Sequence, residues 1–169
     1  MRKIKLFIAS SIDGYIARSD GSVDWLPEHA KSGYVEFYKT IDKVIIGRKT
    51  YEQILSFGAY PYKRKKSYVF TSNTDQKNNE NVEFVSNVEE LTKGLLLSSG
   101  KDVWLVGGSE LISFFLNHEL VDEIIISIIP VILGKGIPLF NEIQKETKLE
   151  LIKTTQYDDL LEMRYRVSK

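Results

Sequence analysis

"WLVGGSELI", residues 104–112, sets the reading of the whole chain. An apolar run ends at Gly107-Gly108, and Ser109 then opens a segment whose apolar residues recur at helical spacing. Strand, glycine corner and helix in immediate succession mark an α/β unit. A second junction of the same design lies upstream in "VIIGRKTYE", residues 44–52, where a strand ends at Gly47 and a helix begins with Arg48, Lys49 and Thr50. At both corners bare glycine backbone lets a ligand come close, and the unpaired N–H groups of a helix start favour an anion. The helix macrodipole opposes cations there by ~0.3–1 kcal/mol each, so Arg48 and Lys49 read as partners for a bound phosphate. The plain alternative is solvated side chains beside turn glycines. Two such junctions on neighbouring strands favour a large phosphate-bearing ligand. Neither fits a Walker A loop, and no G-x-G-x-x-G follows the first strand, so a Rossmann domain is not supported.

Outward from these corners, strands are expected over 5–10, 43–47, 67–71, 82–86, 102–107 and 123–129. Two more, 149–157 and 160–167, form a hairpin about Asp158 and Asp159. Helices are expected over 27–41, 48–55, 87–97 and 109–118, the third capped by Asn87 with Glu90 in the capping-box position. The inner strands are continuous apolar runs, as when both faces of a sheet are covered. The fold class is therefore α/β: a three-layer α/β/α sandwich, mostly parallel, with antiparallel C-terminal strands. With 169 residues, 43% of them hydrophobic, the chain reads as one domain, 1–169.

Charge and composition narrow the function. The 23 basic and 23 acidic residues balance to zero net charge, which gives no general pull toward nucleic acid or membrane. The run "YKRKK" (62–66) is a solvated loop on this reading, and "NTDQKNNEN" (73–81) another. The absence of cysteine removes disulfides, thiolate metal sites and thiol nucleophiles. His29 and His118 belong to no set at ligand spacing, so no metal site is expected. There is no G-x-S-x-G elbow. The apolar run of "MRKIKLFIAS" is too short for a signal peptide and no run approaches a membrane span, so a cytoplasmic location is expected. Two further places carry candidate polar groups. "FTSN" (70–73) offers the hydroxyls Thr71 and Ser72 at a strand end, and "SSIDGYIA" (10–17) offers Asp13 as a turn former or an acid near a ligand.

Five segments in order, "SSIDGYIA" (10–17), "IIGRKTYE" (45–52), "YVFTSN" (68–73), "VWLVGGSEL" (103–111) and "PVILGKGIPLF" (130–140), resemble the dihydrofolate-reductase-like superfamily. The last of them is similar to the riboflavin-biosynthesis branch, the RibD C-terminal domain and its small stand-alone relatives. The resemblance implies NADPH as hydride donor. It places Gly47, Arg48, Lys49 and Thr50 at the pyrophosphate or 2′-phosphate, and Thr71 and Ser72 at the adenosine end. Gly107, Gly108, Ser109, Glu110 and Leu111 would wrap the central phosphates and the nicotinamide half, with Ala9 and Ile16 at the nicotinamide. Asp13 is the expected catalytic residue. Trp25, Ser127, Leu133, Gly134 and Lys135 would border a small nitrogen heterocycle or its ribosyl conjugate. The nearest reaction is that of 5-amino-6-(5-phosphoribosylamino)uracil reductase. The segment 130–140 would line the substrate and the contact of a homodimer, with Gly134 and Gly136 letting the backbone bend close to a flat ring. A dihydrofolate or pterin reductase with Glu28 or Glu36 as its acid stays open, as does a non-catalytic NADPH-binding module.

Overall fold

The computed structural model describes residues 2–27, 32–73 and 75–169. The chain runs β1 (Ile4–Ser11), β2 (Tyr15–Ala17), α1 (Tyr34–Lys39), β3 (Ile41–Gly47), α2 (Arg48–Ser56), β4 (Lys66–Phe70) and β5 (Val82–Val85). It continues α3 (Val88–Leu97), β6 (Asp102–Gly107), α4 (Ser109–Asn117), β7 (Glu123–Ile129), β8 (Ile137–Pro138), β9 (Leu149–Tyr157) and β10 (Leu160–Val167). Eight strands form one sheet in the order β5-β4-β3-β6-β1-β7-β10-β9. The six from β5 to β7 are mutually parallel, and the β9–β10 hairpin adds the antiparallel edge.

Period-2 alternation explains why the inner strands are apolar throughout. Val44, Ile46, Trp104 and Ile125 point into one core, while Ile45, Leu105, Ile124 and Ile126 point into the other. Phe37 of α1 and Tyr51 and Ile54 of α2 cover the first face. Leu95 of α3 and Leu111, Ile112 and Phe115 of α4 cover the second. This is the three-layer fold expected.

Two local expectations change. The first helix spans Tyr34–Lys39 rather than 27–41. Both the N–H and the hydroxyl of Thr40 turn back to the Phe37 carbonyl, at 2.9 and 2.7 Å, which closes the helix and releases Ile41 into β3. Glu28 and His29 lie outside the described residues. The segment 130–140, where no strand is expected, contains one, because Ile137–Pro138 pairs antiparallel with Tyr15–Ala17 in a small second sheet. The cap on α3 is as expected: the Asn87 side chain accepts the Glu90 N–H at 3.1 Å.

The amino edge of the large sheet is closed by ion pairs. Arg2, whose side chain is 1% exposed, meets Asp42 at 2.5 Å, and Lys5 meets Asp102 at 2.7 Å. Glu123 takes Lys3 at 2.7 Å and Arg164 at 3.4 Å. Asp122 accepts the Ile4 N–H at 2.8 Å, which fixes where β1 starts.

Candidate active site

At the opposite, carboxyl edge the two glycine junctions meet. Ile46 of β3 is in register with Gly107 of β6. A Cβ on Gly47 would lie 3.4 Å from the Gly107 carbonyl oxygen, and one on Gly108 would lie 3.2 Å from Thr50 Oγ1. Gly107 has φ +116°, a conformation that needs glycine, and the Gly107–Gly108 peptide is cis. Helices α2 and α4 both start at this seam, with Gly47 and Gly108 as N-caps and no side chain capping either. Helix α3, which starts elsewhere, carries its own Asn87 cap. The first-turn N–H groups of α2 and α4 thus lack side-chain partners beside a strip of side-chain-free backbone, which suits an extended polyanion.

The charged side chains at the seam are held by carboxylates. Arg48 pairs with Glu52 at 2.7 Å, one turn along α2, and Lys49 reaches Glu110 on α4 at 3.7 Å. All four are exposed, so Arg48 and Lys49 are free to exchange these carboxylates for an incoming phosphate. Ser109 differs: its buried hydroxyl donates to the Pro138 carbonyl at 2.6 Å, so the side chain ties α4 to β8 and only its backbone faces the seam chemistry. Leu111 is buried in the α3–α4 core, with Ile16 packed against that core. Thr71 Oγ1 accepts the Asn73 N–H at 3.1 Å, while Ser72 is exposed.

Asp13 stands where the first loop meets the 130–140 segment. Its carboxylate accepts the Ser11 hydroxyl at 2.7 Å, the Leu133 N–H at 3.1 Å and the Gly134 N–H at 2.7 Å. The Ser11 bond is the main reason its pKa is lowered; desolvation opposes this and the two backbone bonds reinforce it. The group is an anion that pins Leu133 and Gly134, and Gly134 itself has φ +77°. Gly136 has a reason of its own to be bare: a Cβ there would collide with the Ala17 carbonyl, so its bareness allows β8 to close on β2. Lys135 is exposed.

On the α1 side of the sheet, a row crosses three strands: Ala9 of β1 faces Ser127 of β7, which faces Glu162 of β10. Ser127 is buried, at 3% exposure, and its hydroxyl donates to Glu162 Oε2 at 3.4 Å. The Gly33 N–H, just before α1, donates to the same oxygen at 3.0 Å. Trp25 keeps its indole N–H buried without a hydrogen-bond partner among the described residues. Glu36 turns away: 79% exposed, it pairs with Lys39 at 2.7 Å on the solvent side of α1.

Residues 60–161 match the family described as the RibD C-terminal domain. The chain belongs to the RibD C-terminal domain family. Over 169 residues it is 43% identical to the uncharacterized protein YwjB of Bacillus subtilis, covering 97% of each chain. The crystal structure of a putative riboflavin biosynthesis protein from Shewanella sp. PV-4 superposes with a TM-score of 0.87 at 29% identity, over 99% of both chains. A dihydrofolate reductase from Enterococcus faecalis, complexed with NADP(H), shares the fold at a TM-score of 0.72 and 21% identity, covering 99% of this chain and 97% of that one. These findings support a dihydrofolate-reductase-like reductase of the RibD type.

Within this RibD-type domain, the structure brings together several residues that the sequence singled out separately. Gly47, Thr50, Gly107 and Gly108 share one seam, and Asp13, Leu133 and Gly134 share one cluster of hydrogen bonds. Glu162 was missed. Its signal lies in "LLEMRYRV" (160–167), where Leu161, Met163 and Tyr165 alternate with Glu162 and Arg164, so the charged residues share one face. No described helix is long and apolar enough to cross a membrane, and no metal-binding cluster occurs among the described residues.

Proposed function

We propose that this chain, as one domain spanning residues 1–169, is an NADPH-dependent reductase of a small nitrogen heterocycle or its ribosyl conjugate. Its nearest reaction would be that of 5-amino-6-(5-phosphoribosylamino)uracil reductase. The observation that carries the reading is the meeting of two uncapped helix starts at the Gly47/Gly107-Gly108 seam. Backbone N–H groups of α2 and α4 would hold the pyrophosphate, with Arg48, Lys49 and Thr50 beside it and Thr71 and Ser72 at the adenosine end. Bound NADPH supplies the hydride; the chain supplies alignment and a water-poor surface. Ala9 and Ile16 would flank the nicotinamide. Trp25, Ser127, Leu133, Gly134 and Lys135 would border the substrate, and Asp13 would position that border as an anion. A cytoplasmic homodimer completes the reading. Its support is the apolar 130–140 segment, where Ile132 is 72% exposed.

Calorimetric titration with NADPH and, in parallel, NADH tests this. The expected result is tight NADPH binding, weaker NADH binding, and a gap that closes in Arg48→Ala. Absence of heat and of thermal stabilisation with both nucleotides overturns the reading.

A further inference from the structure

On the reductase reading just given, the geometry points to Glu162 as the residue that recognises the substrate ring, by accepting hydrogen bonds from adjacent N–H donors on the edge of a flat heterocycle. The class of ligand is a uracil-like or pterin-like ring with ring N–H or amino groups in line.

The argument starts from the sheet. Ala9, Ser127 and Glu162 are consecutive partners across β1, β7 and β10, so their side chains rise from the same face, the one that α1 covers. Ala9 is small and leaves the floor of this row flat. Glu162 is a half-buried carboxylate, and among the described residues it forms no ion pair; the neighbouring Arg164 on the same face goes to Glu123 instead. A carboxylate withdrawn from water keeps its charge only with hydrogen bonds to its oxygens. Two are present, and both go to Oε2, from the Gly33 N–H and the Ser127 hydroxyl. These bonds fix the plane of the group. A carboxylate offers about four acceptor positions, so Oε1 retains acceptor capacity that no described residue fills.

Among the described residues, the other candidate acids are engaged or elsewhere. Asp13 spends its oxygens on Ser11, Leu133 and Gly134, and Glu36 lies with Lys39 on the outer side of α1. Glu162 is therefore the oriented acid of this row, next to Ser127 and two strands from Ala9, about 10 Å or a ring's width from where the reductase reading puts the nicotinamide. Charge-assisted bonds to a planar donor pair give orientation as well as affinity.

The test uses 5,6-diaminouracil and its 1,3-dimethyl derivative, which lacks the ring N–H donors. Each is titrated into the full chain in the presence of NADP+, with wild type, Glu162→Gln and Glu162→Ala. Wild type is expected to bind diaminouracil about tenfold or more tightly than the dimethyl compound. Glu162→Gln is expected to lose a similar factor for diaminouracil and little for the dimethyl compound, with NADPH affinity and melting temperature held. Three results overturn the inference: wild type that binds NADPH but neither ring, Glu162→Gln that binds diaminouracil as wild type does, or a loss that falls equally on NADPH and so marks a structural anchor for Gly33. Should wild type take diaminouracil but no NADPH, the reductase reading fails while the assignment of Glu162 stands on its own.

Discussion

The two edges of the sheet are built on opposite plans. At the amino edge, Arg2, Lys3, Lys5 and Arg164 are cross-linked to Asp42, Asp102 and Glu123, with the Arg2, Lys5 and Glu123 side chains largely withdrawn from water. Burial pushes the Glu123 carboxyl up, yet the Lys3 hydrogen bond and the charges of Lys5, Lys3 and Arg164 together outweigh it and hold the pKa below the ordinary glutamate value. At the carboxyl edge the starts of α2 and α4 lack side-chain caps, their corners are glycine, and the cations beside them are exposed on single pairs. Exposed pairs of that kind contribute about 0–1 kcal/mol. One edge is satisfied by the chain itself; the other leaves its polar backbone for something else. Stability and binding are thus separable by position, and mutations at the two edges should fail in different ways.

The largest effect is expected from Asp42→Ala. It strips the carboxylate from a guanidinium that has almost no access to water, and breaking such a pair costs about 3 kcal/mol or more. Urea denaturation should show that loss while NADPH affinity per folded molecule stays put; a change under about 1 kcal/mol would mean that the amino edge does not carry the stability assigned to it. A smaller and opposite pattern is expected from Gly108→Ala. Its φ of −79° admits alanine, so the fold should lose about 1 kcal/mol or less. The new methyl would sit on the seam beside Thr50, and NADPH should bind about tenfold more weakly. Unchanged affinity in calorimetry would move the phosphate away from the seam.

The smallest effect is local. Because the Asp13 pKa is lowered from 3.8 in the folded chain, its anchoring is fully present above that value and disappears as pH falls through the lower folded value. Amide protection at Leu133 and Gly134, measured by hydrogen exchange against Asp13→Asn, should exceed that of the variant near about pH 5 and converge with it only as the pH is taken below 3.8. Convergence already near pH 5 would show that the carboxylate does not hold the segment.

Much of this was legible because the inner strands bury both faces. Runs such as 43–47 and 123–129 have no polar residue to blur the strand assignment except Lys43, Glu123 and Ser127. The corners were legible because glycine is chemically conspicuous. Residues 48 and 109 were read as helix starts, and the helices begin there. Elements set by distant partners were not. β8 has two residues and owes its existence to β2, more than a hundred positions earlier. The first helix was overextended because Pro27 and the later apolar spacing outweighed Gly33 and Thr40, which bound it. Glu162 was invisible for a different reason: a charge in an alternating edge-side strand reads as solvent-facing, and only the register with Ser127 shows what lies above it.

The Ser109 hydroxyl gives the molecule a mechanical property. The first loop and the 130–140 segment are stitched together by the bonds Ile12 to Val131, Leu139 to Gly14 and Asp13 to Leu133 and Gly134, which make them one hydrogen-bonded unit. Ser109 fastens that body, through Pro138, to the first turn of α4. An anion that stiffens this turn therefore stiffens the far wall as well. By reciprocity, a ligand gripped by that wall would tighten the anion in return, and the two occupants would bind cooperatively by way of the Ser109 tie.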